Sequence, residues 1–213
     1  MTKLQIIVGS TRAERAADNL VPWITERTTT HGGFDVEVLD LRDWPLPMFA
    51  ETAATIGDRA DPTFSEPIVK RWNVKIAEGE AYLFVTPEYN HSVPGVLKNA
   101  IDSVFVTMAF RNKPAAFVGY SGGAVGAARA VEHLAHIAIE MEAVPLRDTV
   151  LIGGVAAAFD AEHNPTNPMT DMAMQVMLDD LSWWAELLTP ARAHQLPPGK
   201  FRMMQAMAAR SSS

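Results

Sequence analysis

Three polar segments carry most of the residues that could do chemistry in this sequence. They are GSTRAER at residues 9–15, TPEYNHS at residues 86–92, and GYSGG at residues 119–123. Each one directly follows, or overlaps the end of, a short apolar run of the kind that forms a buried strand. Binding residues concentrate in such connecting segments, so these three are the candidate site.

The first segment has the composition of a phosphate site. Ser10 and Thr11 offer hydroxyl groups, Arg12 and Arg15 offer guanidinium groups, and a predicted helix start adds backbone N–H groups. The segment has neither the Gly-x-Gly-x-x-Gly pattern nor the Walker lysine. It therefore favours a mononucleotide phosphate over a dinucleotide or a nucleoside triphosphate. The alternative is a solvated loop in which a hydroxyl caps the following helix.

The second segment combines rigidity with hydrogen-bonding groups. Pro87 and Pro94 restrict the backbone, which leaves Glu88, Tyr89 and Asn90 on a rigid rim. Tyr89 could stack on a planar ring, and Asn90 with backbone N–H groups could bind the polar edge of that ring. The alternative, a plain surface turn, explains this composition less well.

The third segment is rich in glycine. Gly122 and Gly123 remove side chains where a flat ring could lie against the backbone, although a glycine-rich turn before a helix is an alternative. Gly119, Ser121 and Gly123 also match the Gly-x-Ser-x-Gly elbow of serine hydrolases, with His163 or His194 as the later histidine. The hydrolase hypothesis explains one segment, whereas a planar phosphorylated ligand explains all three.

The sequence predicts no metal site. His133 and His136 have helical spacing and could bind a metal together with Glu132, but a solvated or interface surface explains them better. The methionines and tryptophans near the C-terminus, including Trp183 and Trp184, are predicted to lie in the core or in a dimer interface.

Strands and helices alternate five times along the chain. The predicted strands are 4–8, 34–41, 81–85, 114–120 and 144–152, and the predicted helices begin near residues 16–18, 65, 96, 126 and 170. This order predicts an α/β doubly wound parallel sheet of five strands with helices on both faces. With the strand order 2-1-3-4-5, the three polar segments meet at the carboxyl ends of the strands, where ligands bind.

The bulk composition limits the possible partners. The 213 residues, 48% of them apolar, predict one domain over residues 1–194 and a tail over 195–213, either loosely ordered or reaching toward a partner chain. The net charge of −7 argues against nucleic acid or a membrane as partner. The absence of cysteine excludes thiolate chemistry and favours a cytoplasmic location.

The motifs resemble a known family. Gly9-Ser10-Thr11-Arg12, Pro87-Glu88-Tyr89-Asn90 and VPGVLKNAID at residues 93–102 resemble the NAD(P)H-dependent FMN reductases with a flavodoxin-like fold, a group that includes quinone and chromate reductases. The resemblance extends from about residue 3 to residue 190 in the order of strands and helices.

The resemblance implies a cofactor and its contacts. It implies noncovalent FMN, with the phosphate held in the loop from Ser10 to Ala17 and the ring held by the second and third segments. The residues it implies are Ser10, Arg12, Arg15, Ala16, Ala17, Pro87, Glu88, Tyr89, Asn90, Ser121, Gly122 and Gly123. No catalytic residue is assigned, because the cofactor carries the chemistry.

The resemblance also implies a reaction and an assembly. NAD(P)H would reduce the flavin, which would then pass electrons to a quinone, a free flavin or a similar small acceptor. The protein would be a homodimer or a dimer of dimers. Two alternatives are a non-enzymatic flavodoxin-like electron carrier and a flavin-binding regulatory module.

Overall fold

The computed structural model describes residues 1–52, 54–57, 62–194 and 210. The strands are β1 (Thr2–Val8), β2 (Phe34–Asp40), β3 (Ala81–Pro87), β4 (Pro114–Tyr120), β5 (Val144–Pro145) and β6 (Val150–Ile152). The helices are α1 (Ala17–His31), α2 (Pro67–Glu78), α3 (Gly95–Asp102), α4 (Ala128–Glu140) and α5 (Pro168–Ala193). A 3-10 turn covers Val155–Ala157.

All strand pairs in the sheet are parallel. The order is β2-β1-β3-β4-β5, and β6 also pairs with β4. In register, Leu4 of β1 lies between Val36 and Ala81, and Pro87 at the end of β3 pairs with Tyr120 at the end of β4. The predicted doubly wound order is confirmed, and it brings the carboxyl ends of β1, β3 and β4 together.

The fifth strand position differs from the prediction. One strand was expected over 144–152, but β5 and β6 are separate and lie on either side of residues 146–149. Pro145 has no N–H to donate, and Arg147 and Asp148 carry charges that a sheet interior does not accept. The chain therefore leaves the sheet and re-enters it at Val150.

Two apolar layers cover the faces of the sheet. One layer packs α1 and α5 against the sheet through residues such as Leu20, Trp23 and Leu178. The other packs α2, α3 and α4 through residues such as Trp72 and Leu134. Helices on both faces are therefore confirmed, and strands β3 and β4 are buried along their whole length. Their continuous apolar sequences follow from burial on both faces.

Helix ends near the site differ from the predicted bounds by a few residues. Helix α3 ends at Asp102 and is followed by turns, although helical spacing extends to Met108. Helix α4 begins at Ala128 because the two preceding residues, Gly126 and Ala127, have φ values of +60° and +68°. Both values lie in the left-handed region, which a right-handed helix does not accept.

The predicted tail at 195–213 lies outside the described residues except for Arg210. The domain boundary at residue 194 therefore stays a prediction. Across the described ranges, no helix has the length and apolar content needed to cross a bilayer.

Candidate functional site

The three polar segments line one pocket at the carboxyl ends of β1, β3 and β4. Its volume is about 240 Å³. The predicted residues that line it are Arg12, Arg15, Ala16, Pro87, Glu88, Tyr89, Ser121 and Gly122, and Glu14, Tyr120 and Val155 complete it. Ser10, Ala17, Asn90 and Gly123 are not among the lining residues, but each one neighbours them in the chain or by hydrogen bond.

A hydrogen bond connects the first and second segments. The Ser10 and Tyr89 hydroxyl oxygens lie 2.7 Å apart, and Ser10 is fully buried. The Arg12 backbone N–H also donates to the Ser10 side-chain Oγ, at 3.4 Å. The end of β1 is thus tied to the end of β3 through side chains as well as through the sheet.

Arg15 is held by carboxylates. Its guanidinium donates to both oxygens of Asp40, to Asp18 at 2.9 Å, and to the Ser10 carbonyl. Burial would lower the pKa of Arg15, but the two carboxylates outweigh it and raise the pKa. These bonds shape the loop. The predicted phosphate contact of the Arg15 side chain stays a prediction, and its donors already have acceptors.

Asp18 is compatible with an anion near the start of α1. A carboxylate in the first turn of a helix would repel a phosphate if it were unpaired. Here Asp18 accepts from Arg15 and from Arg42, the latter at 3.0 Å and 3.1 Å. The two guanidinium groups therefore offset its charge.

Arg12 is the more accessible cation of the pocket. Its guanidinium carbon lies 5.3 Å from the centre of the Tyr89 ring, within the range of a cation–π contact. The side chain is exposed. Arg12, together with the positive end of the α1 helix dipole, makes this end of the pocket suited to an anion, while the Asp18 and Asn19 N–H groups donate to the Arg15 and Ala16 carbonyls.

The rigid rim of the second segment is a tight hairpin. Tyr89 and Ser92 exchange backbone hydrogen bonds of 2.9 Å and 3.1 Å, and Asn90 and His91 between them have φ values of +50° and +72°. Positive φ at both central residues is the requirement of a type I′ turn, which Asn tolerates better than most residues. The sequence indicated rigidity through prolines, whereas the structure adds this turn.

Glu88 is a buried carboxylate that pairs with Arg129. Its side chain is 6% exposed, and Oε1 forms an ion pair with Arg129 of α4. Its other oxygen, Oε2, is buried and has no hydrogen-bond partner among the described residues. Since Glu88 lines the pocket, this oxygen is an acceptor that a bound molecule could use.

The third segment is a compact loop with open space above its glycine. A Cβ at Gly122 would meet no heavy atom within 4 Å, so the loop leaves room for a ligand. Ser121 donates its hydroxyl to the Gly123 carbonyl at 3.0 Å, and its N–H bonds to Ile152 at 3.0 Å. The loop therefore packs against the end of β6.

The serine hydrolase and metal hypotheses find no support in the described part of the chain. The Ser121 hydroxyl faces Gly123, whereas His163 Nδ1 lies 3.2 Å from the Asn19 carbonyl. His133 Nδ1 lies 2.9 Å from the Ser92 hydroxyl. Over the described ranges, no three His, Asp or Glu side chains are grouped so as to hold a metal ion.

Tyr120, like Glu14 and Val155, lines the pocket without having been among the predicted site residues. It is the last residue of β4, is 3% exposed and lines the pocket. Its hydroxyl has no hydrogen-bond partner among the residues described. In the sequence, Tyr120 completes an apolar strand, so it resembles a core residue. Its position just before Ser121 was the one signal of a second role.

Comparison with known proteins identifies related chains. The model of the NADPH-dependent FMN reductase family matches residues 2–157. An NAD(P)H-dependent FMN reductase of Schizosaccharomyces pombe is 33% identical over 165 residues, which cover 74% of this chain and 80% of that protein. A quinone reductase of Pseudomonas putida is 30% identical over 187 residues, covering 85% of this chain and 94% of that protein.

A solved structure has the same fold. FerB from Paracoccus denitrificans, a flavoenzyme NAD(P)H:(acceptor) oxidoreductase, superimposes with a TM-score of 0.70 and 26% sequence identity. The match covers 88% of this chain and 99% of that one.

Proposed function

The chain belongs to the NADPH-dependent FMN reductase family, and from this membership we propose that its pocket holds FMN and serves electron transfer to a quinone or a similar small acceptor. The protein is an oxidoreductase that uses FMN and NAD(P)H. A non-enzymatic electron carrier is not favoured, because the relatives are reductases.

The observation that carries the proposal is the meeting of three loops in one pocket. The first loop presents Arg12 and a helix N-terminus, which suit an anion. The second presents the rigid turn with Tyr89, and the third presents Gly122, above which there is open space for a ring. A ligand that consists of a phosphate joined to a flat ring system would use all three of these features.

The donors and acceptors present fit FMN. The Glu88 Oε2 oxygen and the Tyr120 hydroxyl are buried in the pocket wall without partners among the described residues. A ligand that accepts at one point and donates at another would satisfy both groups. The pocket volume of about 240 Å³ is slightly below the ~300–1,000 Å³ of enclosed ligand sites. This fits a shallow site in which part of the ligand extends beyond one chain.

The protein's part in the chemistry is positioning. Bound FMN supplies hydride uptake from a reduced nicotinamide and electron delivery to an acceptor. The hairpin at Asn90 and His91 would fix one edge of the ring, and the loop at Ser121–Gly123 would lie along the other. Backbone N–H groups in these loops would stabilise negative charge on the ring's polar edge.

We also propose a homodimer or a dimer of dimers in the cytoplasm. A groove of about 380 Å³ beside α3 is lined by Met48, Phe49 and Phe105, and Met48 is 81% exposed. Lys98, Asn99 and Asp102 also line the groove, and an exposed surface that combines apolar and charged side chains is suited to a second copy of the chain. Sedimentation equilibrium would test this, and a monomer at micromolar concentration would contradict it. The cysteine-free sequence supports the cytoplasmic location.

Spectroscopy tests the central proposal. The purified protein, reconstituted with FMN, should show the absorbance of an oxidised flavin and should bleach when mixed with NADH or NADPH without oxygen. Addition of a quinone should then restore the absorbance. Failure to take up FMN would overturn the site assignment, and uptake without bleaching by either nicotinamide would indicate an electron carrier instead.

A further inference from the structure

Tyr120 combines deep burial with an unused polar group. Its side chain ends β4 and is almost wholly inside the protein, yet the hydroxyl has no hydrogen-bond partner within the described ranges. Buried tyrosine hydroxyls normally have a partner, and one without a partner destabilises the fold. Because Tyr120 also lines the pocket, a ligand could supply the missing acceptor.

The position of Tyr120 indicates which part of a ligand it would meet. Tyr120 belongs to the apolar layer between the sheet and helices α1 and α5, together with Val8 and Ala17. These two residues flank the loop of the first polar segment. Tyr120 shares the pocket wall with Arg12, Arg15 and Ala16 of the β1–α1 loop, and Ser10 of the same loop is near enough to act on its hydroxyl. The hydroxyl is therefore on the side of the pocket that favours an anion.

Neighbouring hydroxyls do not satisfy Tyr120. The Ser10 and Tyr89 hydroxyls are already bonded to each other at 2.7 Å. The Ser10 hydroxyl also lies beside that of Tyr120 and lowers its pKa as a hydrogen-bond partner would, but the two groups do not meet the distance and angle limits of a full hydrogen bond. Burial, with a smaller contribution from Tyr89, raises the pKa of Tyr120 above its ordinary value, against the opposing effects of Arg15 and Ser10. The hydroxyl thus keeps its proton at neutral pH.

We propose that Tyr120 binds the phosphate of FMN, donating its hydroxyl hydrogen to a phosphate oxygen. This inference rests on the proposed function, since it assigns a role within the same pocket. A hydrogen bond to an ionised oxygen is stronger than one between neutral groups. Tyr120 would therefore help the pocket to distinguish FMN from riboflavin, which has the same ring but no phosphate.

The Tyr120→Phe variant tests the assignment without changing the shape of the side chain. FMN and riboflavin would be titrated separately into the full chain after removal of flavin, with flavin fluorescence as the readout. We expect the variant to bind FMN ~10- to 100-fold more weakly, the effect of losing one hydrogen bond to a charged group. Riboflavin affinity should stay the same.

Tyr82→Phe is the matched control. Tyr82 is also a fully buried tyrosine in a central strand, but its hydroxyl donates to the Ile76 carbonyl at 2.6 Å and it is not among the residues lining the pocket. This control should lower the urea midpoint of the flavin-free protein and leave FMN affinity unchanged. Tyr120→Phe should weaken FMN binding and should not lower the urea midpoint of the flavin-free protein, because it removes a hydroxyl with no partner among the described residues.

The outcomes separate the inference from the function on which it rests. If the wild type binds neither flavin, the proposed function fails and the role of Tyr120 fails with it. If the wild type binds FMN and Tyr120→Phe binds it equally well, only the Tyr120 assignment is overturned. An equal loss of riboflavin affinity, or a clear fall in the stability of the flavin-free variant, would also overturn the assignment to phosphate.

Discussion

The hydroxyl oxygens of Ser10 and Tyr89 lie 2.7 Å apart and join the loop after β1 to the loop after β3. Both loops line the pocket, and the Arg12 guanidinium lies over the ring of the same tyrosine. The phosphate side and the ring side of the proposed site are therefore one connected structure. Substitutions at Ser10 and Tyr89 should therefore have coupled effects on the free energy of unfolding.

A double-mutant cycle would measure this connection. Tyr89→Phe and Ser10→Ala each remove one partner of a partly buried hydrogen bond, and each should reduce the free energy of unfolding by about 1 kcal/mol. The double variant should lose less than the sum of the two, with a coupling of ~0.5–1.5 kcal/mol. Urea denaturation of the flavin-free protein gives these values. Additive losses would show that the two hydroxyls are not coupled.

The hairpin at Asn90 should be required for FMN retention. Replacing both Tyr89 and Asn90 with alanine should weaken FMN binding without unfolding the sheet, because the turn lies at the edge of the pocket and outside both apolar layers. Flavin absorbance after dialysis measures retention, and far-ultraviolet circular dichroism checks the fold. Full flavin occupancy in the double variant would contradict the role of this segment.

The conformation at Asn90 calls for a second variant. Its φ of +50° strains an alanine, so Asn90→Ala changes the backbone preference as well as the side chain. Asn90→Gly removes the side chain and keeps the backbone free to adopt the turn. If the amide binds the flavin, both variants should lose FMN affinity to a similar degree. Loss in Asn90→Ala alone would assign the effect to the turn.

The Glu88–Arg129 pair should stabilise the pocket wall. Arg129→Met leaves the buried Glu88 carboxylate without its partner and should cost about 2 kcal/mol, below the ~3–5 kcal/mol of fully buried pairs because Arg129 is half exposed. Adding Glu88→Gln should recover part of the loss. Lys98→Met, which breaks an exposed pair with Asp102, is the control and should cost less than about 1 kcal/mol. Equal costs in thermal or urea unfolding would argue against a special role for Glu88.

The sequence predicted the sheet well because buried parallel strands have continuous apolar runs. Strand β4 was expected at 114–120 and lies there, and the order of strands was expected as found. The break between β5 and β6 was missed, because Pro145 and the charged residues after it lie inside an otherwise apolar stretch. Local pattern identifies a strand more reliably than it identifies an interruption.

The sequence identified the three site segments but could not assign each side chain within them. Arg15 lines the pocket as expected and its ligand contact stays a prediction, but the sequence did not indicate that its guanidinium also binds Asp18 and Asp40, the latter 25 positions further along the chain. Tyr120 ends an apolar strand, so the sequence indicated a core residue and not a pocket residue. The Arg15–Asp40 contact is distant in sequence and the burial of Tyr120 depends on the tertiary fold, and a motif contains no information on either.

The Arg15–Asp40 pair should make stability depend on acid pH. Burial alone would raise the pKa of Asp40, but hydrogen bonds from Arg15 and from the Arg42 backbone N–H lower it below the ordinary 3.8. A carboxyl with a lowered pKa contributes stability above its unfolded pKa and loses that contribution as pH falls through its folded pKa. Asp40→Asn should therefore be less stable than wild type at pH 6, by ~1–3 kcal/mol for one lost charged hydrogen-bond partner. The difference should narrow as the pH falls below about 4, where the carboxyl in the unfolded chain becomes protonated. Urea midpoints measured at pH 6, 4 and 3 would test this, and a difference that does not change with pH would contradict an ionised Asp40 paired with Arg15.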